Sequence, residues 1–538
     1  MLSISKTLLI ACIISTSLVH AQTPTLLKDI RIGTSNSNPG ELTVIGNIVF
    51  FEANDNVNGS TLWKTDGTPE GTVMVVPPGM GTMPLSPLNF KAVGNLLYFA
   101  ASTPATGREL WRSDGTVAGT YMVIDLIPGT TGGGAGSIFE INGVIYFTGS
   151  NGTTGSELHK TDGTAVGTVL IKDINPGAIT SQIENMTNLN GTLIFSAASS
   201  TNASNQQTDF ELWKSNGTAA GTVRIKDINP GLANGTVPGI SQPLVVLDGN
   251  VYFRATTPTY GLELWKSDGT TEGTVMVKDI NPNAASSTPQ YLHAHNGSIY
   301  FSAVSPSIGN ELWKSDGTTE GTTLLKNIYT GSSGSHPNNF FSFGDSLLFT
   351  ASNSGAGLEL WKTNGTTDGT VLLKDINSGS SGSNPSYFVM YGDTVFFQAN
   401  GGSAINSEIF KTSGTTEGTA LAAELVPGVG GSFPEELVVI GDKLVFVGYT
   451  SATGTEIFAL PLSSSPASVS WTGNVSTVWE DANNWEPAIL PGSNTEVIIP
   501  SGRPRYPIVN NNTSIKKMSC ASGASFEVIS GVNFVILQ

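Results

Sequence analysis

One twelve-residue string returns along most of this chain. Thr61-Leu62-Trp63-Lys64-Thr65-Asp66-Gly67-Thr68-Pro69-Glu70-Gly71-Thr72 is echoed most clearly by Glu311-Leu312-Trp313-Lys314-Ser315-Asp316-Gly317-Thr318-Thr319-Glu320-Gly321-Thr322. The first glycine of each copy stands at Gly67, Gly115, Gly163, Gly217, Gly269, Gly317, Gly365 and Gly414, which gives spacings of 48, 48, 54, 52, 48, 48 and 49. A fixed period of this length makes each unit one supersecondary element that buries its core against its neighbours.

Each unit carries four short β-like runs, clearest after Pro289: Tyr291 to Ala294, Ser298 to Ala303, Glu311 to Ser315 and Thr323 to Ile328. Aromatic and branched residues fill the runs, and turn residues bound them. Between the first two, Asn-Gly or Gly-Asp recurs (Asn142-Gly143, Asn190-Gly191, Gly344-Asp345, Gly392-Asp393), the chemistry of a tight hairpin. Four antiparallel strands per unit predict an all-β fold, a β-propeller. The ends complement each other. Leu26 to Ile30 matches a fourth run without its first three, while Leu437 to Ile440, Lys443 to Val447 and Glu456 to Phe458 are three runs without a fourth. Pairing them closes a ring and hides both sheet edges. The expectation is eight or nine blades in one ring, with an open superhelix as the alternative.

The motif residues admit structural and chemical readings. Trp63, Trp111, Trp213, Trp265, Trp313 and Trp361, with Phe410 and Phe458, put an aromatic at one point of each third run, broken by His159. They are expected to fill the wedge between blades, with sugar-stacking platforms as the alternative. Asp66, Asp114, Asp162, Asp268 and Asp316, with Asn216, Asn364 and Ser413 at the same point, precede Gly-Thr and read as turn formers. Calcium is the minority reading there, since one carboxylate per loop falls short of six to eight oxygens. Glu109, Glu157, Glu211, Glu263, Glu311, Glu359, Glu408 and Glu456 recur two residues before the aromatic. Eightfold recurrence favours a backbone-satisfying role over acid–base chemistry. His293 and His295 share one face of a strand and could chelate a metal, but no third ligand is evident. The sequence therefore predicts no catalytic, cofactor or metal site. The extra length at Ser199 to Asp209 and Leu232 to Gln242 is expected to project as binding loops.

Composition narrows the setting. Of 538 residues only 12% are charged, about half the usual share, which excludes long charged helices and coiled coils. A formal charge of -17 gives nucleic acid no basic face to meet. Beyond residue 21 no run approaches the roughly 18 apolar residues of a membrane span. Residues 1–21 read as a signal peptide: Lys6, an apolar run from Thr7 to Val19, then Val19-His20-Ala21. A lipoprotein box ending at Cys12 is the rival reading. Removal of the signal leaves Cys520 alone, so stability must come from packing rather than disulfides.

The string Glu-Leu-Trp-Lys-Ser-Asp-Gly-Thr closely resembles the ELWxxDGT repeat, sometimes labelled hyalin-like, of secreted proteins of the Bacteroidota, with departures at Thr61, His159 and Phe410. The resemblance implies an extracellular or outer-surface protein and brings no established activity or ligand. The domains expected are a signal peptide (1–21), the propeller (22–462), a linker (463–468) and a small β-rich module (469–538). That module opens on Trp471-Thr472-Gly473 and Asn484-Trp485 and resembles one found near the C-termini of such exported proteins, where a type IX secretion sorting domain commonly follows. The last residues, Phe534 to Gln538, read as a strand, which makes a truncated module one expectation. The function expected is a non-catalytic binding or adhesion scaffold for an extracellular glycan or protein, and not an enzyme. The alternatives are a propeller hydrolase or lyase acting on polysaccharide, and a structural envelope or matrix component. Oligomeric state is not legible.

Overall fold

The computed structural model describes residues 23–536 apart from 76–85, 203, 205, 237–242, 429, 463–467, 487, 492–494 and 516. The residues expected to form a signal peptide, Cys12 of the rival lipoprotein reading and most of the expected linker lie outside the described residues. Among the described residues, nine four-stranded antiparallel sheets form the propeller. Blades I to VIII follow chain order, from Gly40–Ile45 as the first strand of blade I to Ala420–Ala423 as the last strand of blade VIII. Blade IX is a composite. Glu435–Ile440, Lys443–Thr450 and Gly454–Pro461 supply three strands, and Thr25–Lys28 completes the sheet, with Thr25 opposite Ala459 and Leu26 opposite Phe458. The ring is closed, so the count is nine and neither the eight-bladed nor the open arrangement applies.

Hydrophobic alternation builds each wedge. Phe51 of one second strand lies opposite Trp63 of the third, and both pack against Val445 and Ile457 of blade IX. The same layer recurs from blade to blade, as where Trp213 of blade IV meets Tyr146 and Leu158 of blade III. The first strands stand beside one another around the axis. All but that of blade V are bulged near their start, and the bulge is carried by a residue at positive φ: Glu41, Asn89, Ser137, Asn185, Tyr291, Asn339, Tyr387 and Glu436. Glu436 accepts a hydrogen bond from Leu42 N at 2.8 Å, and Glu41 one from Phe90 N at 2.9 Å, so these side chains stitch neighbouring inner strands together.

The insertion at Ser199 to Asp209 is no loop. It lengthens the second and third strands of blade IV to Thr192–Thr201 and Gln207–Ser215, paired as far as Thr201 opposite Gln207. Alternating serines and threonines gave that stretch the composition of a loop, yet they extend a strand readily once a partner is in register. Of Leu232 to Gln242, Thr236 bridges to Ala255, and residues 237–242 lie outside the described residues.

The C-terminal module is also β-rich. Ser468–Trp471, Glu496–Ile499 and Lys517–Cys520 pair in parallel, as do Ile508–Val509 with Glu527–Val528 and Thr513–Ile515 with Phe534–Ile536. Parallel pairing of successive turns of chain is the layout of a short coil of strands. Trp471, Trp479 and Trp485 fill its centre in edge-to-face contacts.

Candidate functional site

The repeated motif is used up by the fold. Asp66 Oδ1 accepts from Thr68 N at 2.9 Å and Thr68 Oγ1 at 2.6 Å. Thr68 Oγ1 in turn accepts from Gly71 N, while Thr65 and Thr72 share a hydrogen bond beneath the turn. These bonds hold the Asp66 carboxyl below its ordinary range. Gly71 is obligatory here, because a Cβ would lie 2.0 Å from Asp66 Oδ1. The same turn stands at Asp114, Asp162, Asn216, Asp268, Asp316 and Asn364, and each of these side-chain oxygens accepts from its own turn. Ser413, in blade VIII, instead shares a hydroxyl contact with Thr415. The lysines, given no role by the sequence reading, clamp blade to blade. Lys64 Nζ donates to Gly115 O at 2.7 Å and Lys266 Nζ to Gly317 O at 2.8 Å, and Lys278 Nζ reaches Thr322 O at 2.7 Å.

The glutamates are buried between the third strand and the loop that leaves the fourth. Glu311 accepts from Ile328 N at 2.8 Å, Tyr329 N at 3.0 Å and Ser335 Oγ at 2.6 Å. Burial raises the carboxyls of Glu109, Glu263, Glu311, Glu359, Glu408 and Glu456, and pushes Glu157 and Glu211 up to about 7. The tryptophans, Phe410, Phe458 and His159 are buried between blades. The indole N–H of Trp63, Trp111, Trp213, Trp265, Trp313 and Trp361 has no partner.

Chemistry is left to the positions where a blade departs from the repeat. In blade IV, Asp209, Glu211 and Asp227 bring one carboxylate oxygen each within 4.8 Å of the others. The Arg224 guanidinium fills that space, at 3.0 Å from Asp209 and 3.5 Å from Asp227. Arg224 thus takes two of the three carboxylates as partners, and Glu211 is left to its backbone donors.

The second departure is at the junction of blades VI and VII. His293 and His295 converge on one hydroxyl, that of exposed Ser342 on the next inner strand. Oγ lies 2.9 Å from His293 Nε2 and 3.0 Å from His295 Nδ1. His295 is buried, and its Nε2 has no partner. An orphaned buried N–H is rarer than an orphaned acceptor, which places the His295 proton on Nδ1, donating to Ser342 Oγ. The Ser342 hydroxyl then donates to His293 Nε2. Burial and the neighbouring His295 lower the His293 pKa, so it is neutral at pH 7 and its Nε2 lone pair is free to take the serine proton. A hydroxyl donating to a neutral imidazole, and itself accepting a second hydrogen bond, has the nucleophile and base of serine-type acyl transfer. The two histidines were legible as a pair. Their partner was reachable too, since Ser342 minus one 48-residue period is position 294, between them.

A third departure lies at the closure seam, where Phe433, Tyr449, Glu435, Asn38, Val447 and Thr455 line a cavity of about 440 Å³.

Known proteins add little. A family described only as a domain of unknown function, DUF8693, matches residues 470–538, the C-terminal module. No curated protein matches the chain. Solved structures similar to it include a puromycin-hydrolysing peptidase of Mycobacterium tuberculosis, at 11% identity and a TM-score of 0.40 over 80% of this chain and 61% of that one. A puromycin hydrolase follows at 9% identity and a TM-score of 0.37, over 91% and 79% of the two chains. A prolyl endopeptidase is 10% identical with a TM-score of 0.36, over 62% and 51%. The chain spans about three fifths of the length of a mutant puromycin hydrolase and of the Mycobacterium tuberculosis peptidase, of which it covers 60% and 61%. These neighbours are enzymes. The expectation of a non-catalytic glycan- or protein-binding adhesion scaffold, and of no enzyme, is corrected accordingly and goes no further. At this identity and TM-score the likeness gives the chain no peptidase active centre.

Proposed function

We propose that the chain is an exported acyl hydrolase in which Ser342 is the nucleophile and His293 its general base. The observation that carries this reading is the placement of an exposed serine hydroxyl at hydrogen-bond distance from two imidazoles contributed by the neighbouring blade. Ser342 Oγ attacks the acyl carbon as His293 Nε2 takes its proton. The same nitrogen gives that proton to the departing alkoxide or amine, and water, deprotonated by His293, releases the acyl group and restores the serine. His295 is a positioning residue that holds the hydroxyl through Nδ1. Export is supported by the signal-like residues 1–21, and kinship with the exported ELWxxDGT-repeat proteins by the motif itself.

The test is labelling of the purified chain by a fluorophosphonate, read by intact mass, beside hydrolysis of p-nitrophenyl acetate. One adduct on Ser342, lost in Ser342→Ala, is expected, with labelling in His293→Gln slowed at least a hundredfold. The acid limb of labelling should fall below pH 6.5, the ordinary histidine value, because the His293 pKa is lowered. Labelling at other residues only, or unchanged in Ser342→Ala, refutes the assignment.

A further inference from the structure

The closure seam carries a feature separate from Ser342. Eight of the nine first strands, all but that of blade V, are approached through a residue at positive φ two positions before the first paired residue. At this point stand Asn38, Ser86, Gly134, Gln182, Thr288, His336 and Asn384, all small or polar, and in blade IX Phe433 at φ 47°. A bulky side chain is strained in that region and is better accommodated elsewhere. Phe433 is also 52% exposed, so neither backbone nor burial accounts for it. Four residues beyond the second-strand residue Val445 the same blade departs again. Tyr449 occupies a position held by Asn54, Ser102, Ser150, Ala198, Thr256, Val304, Ser352 and Asn400 in the other blades, and it too is exposed.

Both aromatics line the 440 Å³ cavity, and the exposed Glu435 lines it with them. Asn38 and Thr455 add polar atoms to the wall. Carboxylates gather on the inner strands of the seam, while the Arg31 guanidinium stands at its edge and donates to Asn36 O. Glu436 and Glu41 lie on the two inner strands that meet here, and together they help to raise the carboxyl of Glu52. Burial, and after it Glu435 and Glu436, likewise raise the Tyr387 hydroxyl of the adjoining blade. Two aromatic side chains and a carboxylate lining one cavity have the chemistry that recognises an organic cation, through the ring quadrupoles and a charge-assisted hydrogen bond.

We infer that the seam cavity is a binding site for a lysine or arginine side chain of an extended polypeptide, held between Phe433 and Tyr449 with its charge on Glu435. The cavity is far larger than one ammonium group, which leaves room for the flanking backbone. A polypeptide is favoured over a free amine because the cavity is larger than the cation needs and its wall adds the polar side chains of Asn38 and Thr455 beside the aromatic pair.

The test is fluorescence polarisation on the full chain with labelled Ala-Ala-Lys-Ala-Ala and its norleucine counterpart. The lysine peptide should bind at least tenfold more tightly and weaken as salt rises. Glu435→Gln should abolish that preference, and Phe433→Ala or Tyr449→Ala should weaken binding by at least fivefold. All three residues are exposed, so circular dichroism and the melting temperature should remain those of the parent. Equal binding of the two peptides, no binding of either, or binding indifferent to Glu435→Gln overturns the inference. Fluorophosphonate labelling of Ser342 in the same variants separates the two sites, since it is expected to stay unchanged whatever the peptides do.

Discussion

Replacing Glu211 by glutamine should stabilise the propeller at pH 8 and leave it almost unaffected at pH 4.5. Glu211 is fully buried, and it differs from most of its counterparts in one respect. Where Ser181, Ser287, Ser335, Ser383 and Ser432 donate a hydroxyl to the glutamate of their blade, blade IV has Gly235, whose Cβ would stand 2.3 Å from the carboxylate. Two backbone donors remain, Ile228 N at 3.1 Å and Asn229 N at 3.2 Å. Against them stand burial first, then the negative charges of Asp227 and Asp209, and the carboxyl is pushed from 4.5 up to about 7. A carboxyl whose pKa is higher in the folded than in the unfolded state contributes fully below about 4.5, where both states are protonated. That contribution is lost as the pH rises to about 7. At ~1.4 kcal/mol per pH unit the loss has a ceiling of about 3 kcal/mol. Glutamine keeps the acceptor for Ile228 and Asn229 and never ionises, so the substitution removes the loss. Urea unfolding followed by tryptophan fluorescence, parent against Glu211→Gln, measures it. The midpoint difference should grow from near zero at pH 4.5 to its full value by pH 8. A difference that is the same at both pH values would falsify the reasoning, since it would mean that Glu211 is already ionised in the folded protein at pH 4.5.

Two further outcomes test the turn and the wedge. Gly321→Ala puts a Cβ 2.1 Å from the Asp316 carboxylate and must break its bonds to Thr318, so thermal unfolding should show a loss of about 1–3 kcal/mol, whereas Asp316→Asn should be nearly neutral, because blades IV and VII already use Asn216 and Asn364. Trp313→Phe should cost less than about 1 kcal/mol in urea unfolding, since the area lost is offset by removing a buried N–H that has no partner, while Trp313→Ala should cost about 3–5 kcal/mol.

The blade was legible because its determinants are local. A period near 48, a hairpin turn and a third strand that alternates around Trp313 each act within one unit, so residues close in sequence suffice to read them. Blade number was harder. Eight motifs and two incomplete ends leave the count open until Leu26 is seen opposite Phe458, a pairing across more than four hundred residues. The insertion in blade IV was misread for a different reason: Ser199, Ser200 and Thr201 are polar enough for a loop, and only pairing with Thr208 and Gln207 makes them strand. Phe433 and Tyr449 carried a signal that could have been used. Aligning the units along their whole length, rather than on the twelve-residue string, shows that no other blade has phenylalanine or tyrosine at either position.

Why the departures gather on and around the inner strands follows from how the ring is held. Third and fourth strands and the turn between them meet the neighbouring blade through fixed partners, such as Lys266 on Gly317 O, Thr319 on Val277 O and Trp313 packed with Tyr252 and Leu264, so these positions are held by an interface repeated around the ring. Inner strands are constrained at alternate positions only. Position 293 and its equivalents read Thr43, Lys91, Phe139, Thr187, Val245, His293, Phe341, Val389 and Val438 around the ring, with no common chemistry. Such a site accepts a histidine in one blade without cost to the other eight, and its neighbour one blade on accepts the serine that histidine meets. The same freedom admits Phe433 and Tyr449 at the seam, where blade IX is assembled from both ends of the chain. A repeat that saturates its own hydrogen bonds thus confines chemistry to the few positions it does not use, and both proposed sites occupy them.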